Sequence, residues 1–133
     1  MLFFYLQKWG GVTKVVILED DPDLRSLLGQ ILKFNSPCES LAVASLDEMK
    51  KCRDEVLGSN LCLLDIDLGV GKPTGLDAFE WLSQLEYSGK IFFLTGHARS
   101  HPLVVKARKL GKAKILAKPI SIVDLLLHVK KAE

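Results

Sequence analysis

Several side chains in this sequence have the types and positions to act together. The stretch KVVILEDDPD runs from an apolar segment straight into Glu19, Asp20 and Asp21. NLCLLDIDLGVG does the same: Leu61-Cys62-Leu63-Leu64 ends in Asp65, and Asp67 follows two residues later. FFLTGHA delivers Thr95 at the end of another apolar run, and ILAKP delivers Lys118. Carboxylates gathered in one place repel, by about 1 kcal/mol for a pair ~4 Å apart in water and several times that near a protein surface. Such a group raises its own pKa values. Two remedies exist. A divalent cation with oxygen ligands is one, and Mg²⁺ suits a few carboxylates plus waters. A fixed positive charge is the other, and Lys118 is placed to supply it.

These residues need elements that bring them together. Lys14 to Leu18 reads as a buried strand, and Pro22 opens a helix where its missing N–H costs nothing. Leu24, Leu27, Leu28, Ile31 and Leu32 form one helical stripe. Asn35-Ser36-Pro37 ends it. Glu39 to Val43 is a weaker strand. Ser45 to Glu48 is a capping box, and Leu46, Met49 and Val56 face one way on a single helix behind it. Leu61 to Leu64 is a third strand, and the Gly- and Pro-rich segment 69–75 is a loop. Leu76, Phe79, Leu82 and Leu85 mark a helix. Lys90 to Leu94 is a fourth strand. Pro102 opens a helix with Leu103, Ala107 and Leu110 inward and Gly111 as its stop. Ala113 to Ala117 is a fifth strand. Ser121 caps a last helix with Ile122, Leu125, Leu126 and Val129 on one side.

The expected class is therefore α/β, a (βα)5 chain with a parallel sheet covered on both faces. In such sheets ligands bind beyond the carboxyl ends of the strands. Glu19, Asp20, Asp65, Thr95 and Lys118 all stand there. If strands one and three are neighbours, their acids converge.

Whole-chain properties narrow the field. With 133 residues the chain is long enough for one domain with a real core. Residues 14–133 are expected to form that domain, with no linker and no second domain, behind an apolar leader over residues 1–13. The leader has no basic region before it and no cleavage site, which argues against a signal peptide. No apolar run approaches the roughly 20 residues of a membrane span. Cys38, Cys52 and Cys62 make an odd set without C-x-x-C spacing, against both a disulfide framework and a zinc site. A reducing cytoplasm fits. Charge is uneven: residues 1–88 carry 8 basic and 14 acidic side chains, residues 89–133 carry 10 and 2. That asymmetry can steer a charged partner. Lys106, Arg108, Lys109, Lys112 and Lys114 are a solvated face or an output surface for an acidic partner. No recognition helix or aromatic interleaving accompanies them, so direct nucleic-acid binding is not expected.

Taken in order, Glu19-Asp20, Asp65 in LLDI, Thr95 in LTG and Lys118-Pro119 each end a separate strand. In this the chain resembles a response-regulator receiver domain of two-component signalling, from about Lys14 to Lys130. The resemblance implies a three-layer doubly wound, flavodoxin-like sandwich with strand order 2-1-3-4-5. It implies that Asp65 accepts a phosphoryl group from a histidine kinase or histidine phosphotransfer protein. It implies Mg²⁺ bound by Asp20, Asp65 and the backbone carbonyl of Asp67, with Glu19 reaching it through water. Lys118 and Thr95 would stabilise the phosphoryl oxygens.

This sequence departs from the family pattern in three places. The loop after Asp65 has Gly69 where a proline is usual and is about two residues longer. Ile115 replaces a frequent aromatic, and isoleucine is stiff at χ1 with no polar tip, so an aromatic toggle cannot operate. Asp67 and His97 border the path of a hydrolytic water and are expected to set the lifetime of phospho-Asp65. His101 and His128 read as surface residues. Two other functions compete: an adaptor that is never phosphorylated, and a haloacid-dehalogenase-type phosphatase using the D-x-D of Asp65 and Asp67. The second leaves Glu19-Asp20 without a purpose. The downstream partner is expected to be a protein, with the basic helix and the leader as candidate contacts, including those of a homodimer.

Overall fold

A computed structural model describes residues 13–35 and 38–131. Five strands form one parallel sheet: β1 (Thr13–Leu18), β2 (Cys38–Val43), β3 (Leu61–Asp65), β4 (Lys90–Thr95) and β5 (Lys114–Ala117). Their spatial order is β2-β1-β3-β4-β5, so strands one and three are neighbours. Among the described residues six helices cover the sheet: α1 (Pro22–Asn35), α2 (Leu46–Lys51), α3 (Arg53–Leu57), α4 (Gly75–Gln84), α5 (Pro102–Leu110) and α6 (Ile122–Lys131). The expected leader lies outside the described residues except for Thr13, the first residue of β1. Among the described residues no helix is long and apolar enough to cross a membrane.

The strand residues alternate between two cores, as pleating requires. Val15, Ile17, Leu61, Leu63, Phe92 and Leu94 pack with Leu28 and Leu32 of α1 and Leu125 and Val129 of α6. Val16, Leu18, Cys62, Leu64 and Phe93 pack on the other side with Met49, Val56, Phe79, Leu82 and Val104. β3 is buried at every position, which is what a central parallel strand between two helical layers demands. Each fully buried leucine of this kind contributes roughly 1.5–3 kcal/mol.

The helical stripes are narrower than expected. Leu27 is 51% exposed, Leu110 40% and Ile122 51%, so each sits at the edge of its helix rather than in the core. A helix lying on a sheet buries about a third of its circumference, and these positions fall just outside that arc. The single helix expected behind Ser45 is two, parted at Cys52, whose N–H bonds three residues back to the Met49 carbonyl. Leu46, Met49 and Val56 are nevertheless all buried. Ser45 caps α2 by accepting from the Glu48 N–H at 3.2 Å. A full capping box stands at α4, where Thr74 and Asp77 satisfy each other's backbone N–H groups.

Candidate functional site

Register places the acids side by side. Leu18 of β1 pairs with Leu64 of β3, so the next residues, Glu19 and Asp65, stand level. Asp65 in turn pairs with Leu94, and Thr95 with Ala117, the residue before Lys118. Four backbones therefore end at one height. Glu19 N–H bonds to the Val43 carbonyl (3.0 Å) and Lys118 N–H to the Thr95 carbonyl (2.8 Å), extending the ladder one residue past the strands.

Glu19 is 0% exposed and Asp65 5%. Their carboxylates share one cation: Lys118 Nζ lies 2.6 Å from Glu19 Oε1 and 3.2 Å from Asp65 Oδ2. Asp20 is exposed, yet oxygens of Glu19, Asp20 and Asp65 all lie within 4.8 Å of one another. Three convergent carboxylates, two of them buried, are a donor set that suits a hard divalent cation. Burial first, and then the Glu19 hydrogen bond and charge, push Asp65 up to about 8, while Lys118 pulls it down without cancelling them. Burial also works to lower the Lys118 pKa, but its bond to Glu19 and the charge of Asp65 outweigh this and hold it above the ordinary lysine value.

Asp67 and His97 are joined to each other. Asp67 Oδ2 is 2.9 Å from His97 Nε2, and Asp67 Oδ1 accepts the Gly69 N–H at 3.0 Å. That N–H, followed by the His97 bond, lowers the Asp67 pKa. The Asp67 side chain is thus directed to His97 and is not among the three acids whose oxygens cluster. Thr95 is buried, and its Oγ1 accepts the His97 N–H at 3.0 Å, which leaves the hydroxyl proton to donate elsewhere. His101 stacks on His97, ring centroids 4.0 Å apart, and accepts the Leu103 N–H to cap α5. A cavity of about 280 Å³ opens over Asp20, Asp65, Asp67, His97 and Lys118. Ile115 is half-buried against the core on the α5 side of the sheet.

Two supporting residues escape a reading of the sequence. Arg25 Nη1 donates to the Glu19 carbonyl (2.9 Å) and the Asp20 carbonyl (3.4 Å), so the first turn of α1 clamps the acidic loop. Its signal was an arginine one turn after Asp21. Gly75 starts α4 against the end of β3, where a Cβ would overlap the Asp65 carbonyl oxygen. Its signal was a glycine directly after the Thr74 cap.

A family model described as the response regulator receiver domain matches residues 15–130. The C4-dicarboxylate transport transcriptional regulatory protein DctD of Pseudomonas aeruginosa is 31% identical over 128 residues, 90% of this chain and 25% of its own length. The sensory transduction protein LytR of Staphylococcus epidermidis is 24% identical over 106 residues, 80% of this chain and 40% of its own. The chain therefore spans well under half the length of these curated relatives. A CheY-like receiver domain from Methanospirillum hungatei JF-1 superimposes with a TM-score of 0.77 at 28% identity, covering 91% of this chain and 93% of that one. These similarities do not favour the phosphatase reading of Asp65 and Asp67.

Proposed function

The chain belongs to the response regulator receiver domain family of two-component signalling, and from that premise we propose that Asp65 is its phosphoacceptor. The donor is a phosphohistidine on a histidine kinase or histidine phosphotransfer protein in the cytoplasm. The observation that carries the reading is Asp65 itself: a carboxylate on the end of a fully buried strand, level with Glu19 and 3.2 Å from the Lys118 ammonium.

An Asp65 oxygen forms a bond to phosphorus as the P–N bond of the phosphohistidine breaks. Little covalent help is needed; in-line placement and neutralisation of the phosphoryl oxygens do most of the work. β3 supplies the placement, because its burial leaves Asp65 little room to wander. Lys118 supplies one neutralising charge, and its partnership with Glu19 keeps it protonated and aimed. Thr95 offers a hydroxyl donor from the end of β4. Glu19, Asp20, Asp65 and the Asp67 backbone carbonyl would hold Mg²⁺, which supplies the remaining positive charge when bound. The acid cluster also favours binding of such an ion, since removing it leaves mutual repulsion. Asp67 and His97 stand beside the cavity that water must cross to reach phospho-Asp65, and they set its lifetime.

Incubation with acetyl phosphate and Mg²⁺, read by intact mass, tests this. A single phosphoryl adduct in the wild type, absent from Asp65→Asn, is expected. No adduct in the wild type would leave a binding adaptor as the reading, and turnover of a generic phosphomonoester would revive the phosphatase.

A further inference from the structure

The exposed position of Leu110 leads to a second surface. On α5, Lys106, Lys109 and Leu110 lie at i, i+3 and i+4 and so share one side, while Val104 and Ala107 turn into the core. That side faces α4 across a groove of about 560 Å³ whose lining includes Leu76, Phe79 and Leu110. Gly111 in the left-handed conformation (φ 64°) ends α5 and turns the chain so that Lys112 joins the same lining. A second cavity of about 400 Å³ shares Phe79, Ser83 and Lys112 with the first. It runs on to Lys90 and Lys114, the first residues of β4 and β5. The two form one trough, reaching the amino ends of β4 and β5, whereas the acids stand at the carboxyl ends of the strands.

Its chemistry is asymmetric. Apolar side chains make part of its lining, and five lysines line it against one acid, Glu80. Among the described residues none of Lys106, Lys109, Lys112 and Lys114 forms an ion pair. Unpaired like charges beside exposed apolar surface are held at a cost that a complementary ligand removes. Nucleic acid would use the lysines but not Leu76, Phe79 and Leu110. An acidic segment with large apolar side chains uses both, in the manner of an amphipathic helix laid in a groove.

We propose that the trough between α4 and α5 docks an acidic amphipathic segment of a partner protein, with Leu or Phe side chains seated between the helices and Asp or Glu side chains on the lysines. This gives the phosphoacceptor reading an output partner. Because the trough shares no lining residue with the cavity over Asp65, binding is measurable on the unphosphorylated protein, and failure of one idea is visible apart from failure of the other.

The probe is a fluorescein-labelled amphipathic peptide with Leu and Phe on one helical face and Asp and Glu on the rest, followed by anisotropy and by amide chemical shifts. Polyglutamate of the same length and an oligothymidylate serve as comparisons. The amphipathic peptide is expected to bind tightest. Its affinity should fall about tenfold or more in Lys106→Glu/Lys109→Glu and, separately, in Leu110→Ser. Shifts should centre on α4 and α5. Both variants alter solvent-exposed positions, and thermal melts verify their folding. Equal binding of polyglutamate or oligothymidylate, unchanged affinity in both variants, or shifts centred on another face would each overturn the proposal.

Discussion

Lys118 Nζ sits 2.6 Å from Glu19 Oε1, although 99 residues separate them in the chain. Glu19 follows the first strand and Lys118 the last, so this one contact closes the acidic site across the sheet. Glu19 has no exposed surface, and Lys118 is the cation that compensates both it and Asp65. The pair is therefore structural before it is chemical.

Lys118→Met should destabilise the protein. Breaking a buried pair by removing one partner costs roughly 3–5 kcal/mol, and partial exposure of Lys118 reduces this to about 2 kcal/mol. Urea denaturation without divalent cations, at neutral pH, should show a lower midpoint with unchanged slope. Adding Glu19→Gln to that background should recover much of the loss, because the orphaned charge is then gone. A midpoint equal to wild type would show that the pair carries no stability.

Asp65→Asn should stabilise the metal-free protein, increasingly so as pH rises. Burial and Glu19 raise the Asp65 pKa from its ordinary 3.8 to about 8 in the folded state. Between those values the folded protein holds a proton that the unfolded chain has lost. Stability is then fully present below the ordinary value and falls as pH rises towards about 8. Asparagine cannot ionise, so the slope should flatten and the variant should gain several kcal/mol at the upper end. Equal pH dependence in the two proteins, from denaturation midpoints across that window, would contradict the assignment.

Asp67→Asn and His97→Ala should each shorten the life of phospho-Asp65. The two side chains pair at 2.9 Å beside the cavity over Asp65, and both are over a third exposed. An exposed pair contributes roughly 0.2–1 kcal/mol, so opening it should accelerate hydrolysis by about fivefold at most. The double variant should match the singles, since one interaction is lost in each case. Decay of the phosphorylated mass is the measurement, and rates identical to wild type would remove the pair from the mechanism.

Two glycine replacements should act in opposite directions. Gly75→Ala forces a methyl into the Asp65 carbonyl oxygen and the Ile66 backbone, at a cost of about 2 kcal/mol. Gly29→Ala places its methyl in ordinary contact with Ser40 Oγ inside helix α1, where alanine is favoured by ~1 kcal/mol. Thermal melts should therefore move down for the first and up for the second. Gly75→Ala should also slow phosphorylation, because the strain falls on the backbone that carries Asp65.

Much of this molecule was legible in the residues themselves. Strand interiors such as Ile17 and Leu63 announced themselves as apolar runs, and helix stops such as Gly111 as local backbone chemistry. The abrupt change from apolar to acidic at Leu18-Glu19 and Leu64-Asp65 marked two strand ends whose acids the fold brings together. Less legible were the edges. Leu27, Leu110 and Ile122 obey helical periodicity, yet how far a stripe is buried depends on what lies beneath it. The break at Cys52 was hidden for a similar reason, since Leu46, Met49 and Val56 are buried on either side of it.

The sequence by itself determined which residues could carry charge chemistry and that each would stand at the end of a strand, because hydrophobic periodicity and turn chemistry are local. Only the tertiary structure decided who partners whom: Lys118 with Glu19 and Asp65, Asp67 with His97, Arg25 with the backbone of the acidic loop. Those pairings depend on strand order, register and the width of helix-sheet contacts, and each of these is a balance struck between distant segments rather than a property of any one of them.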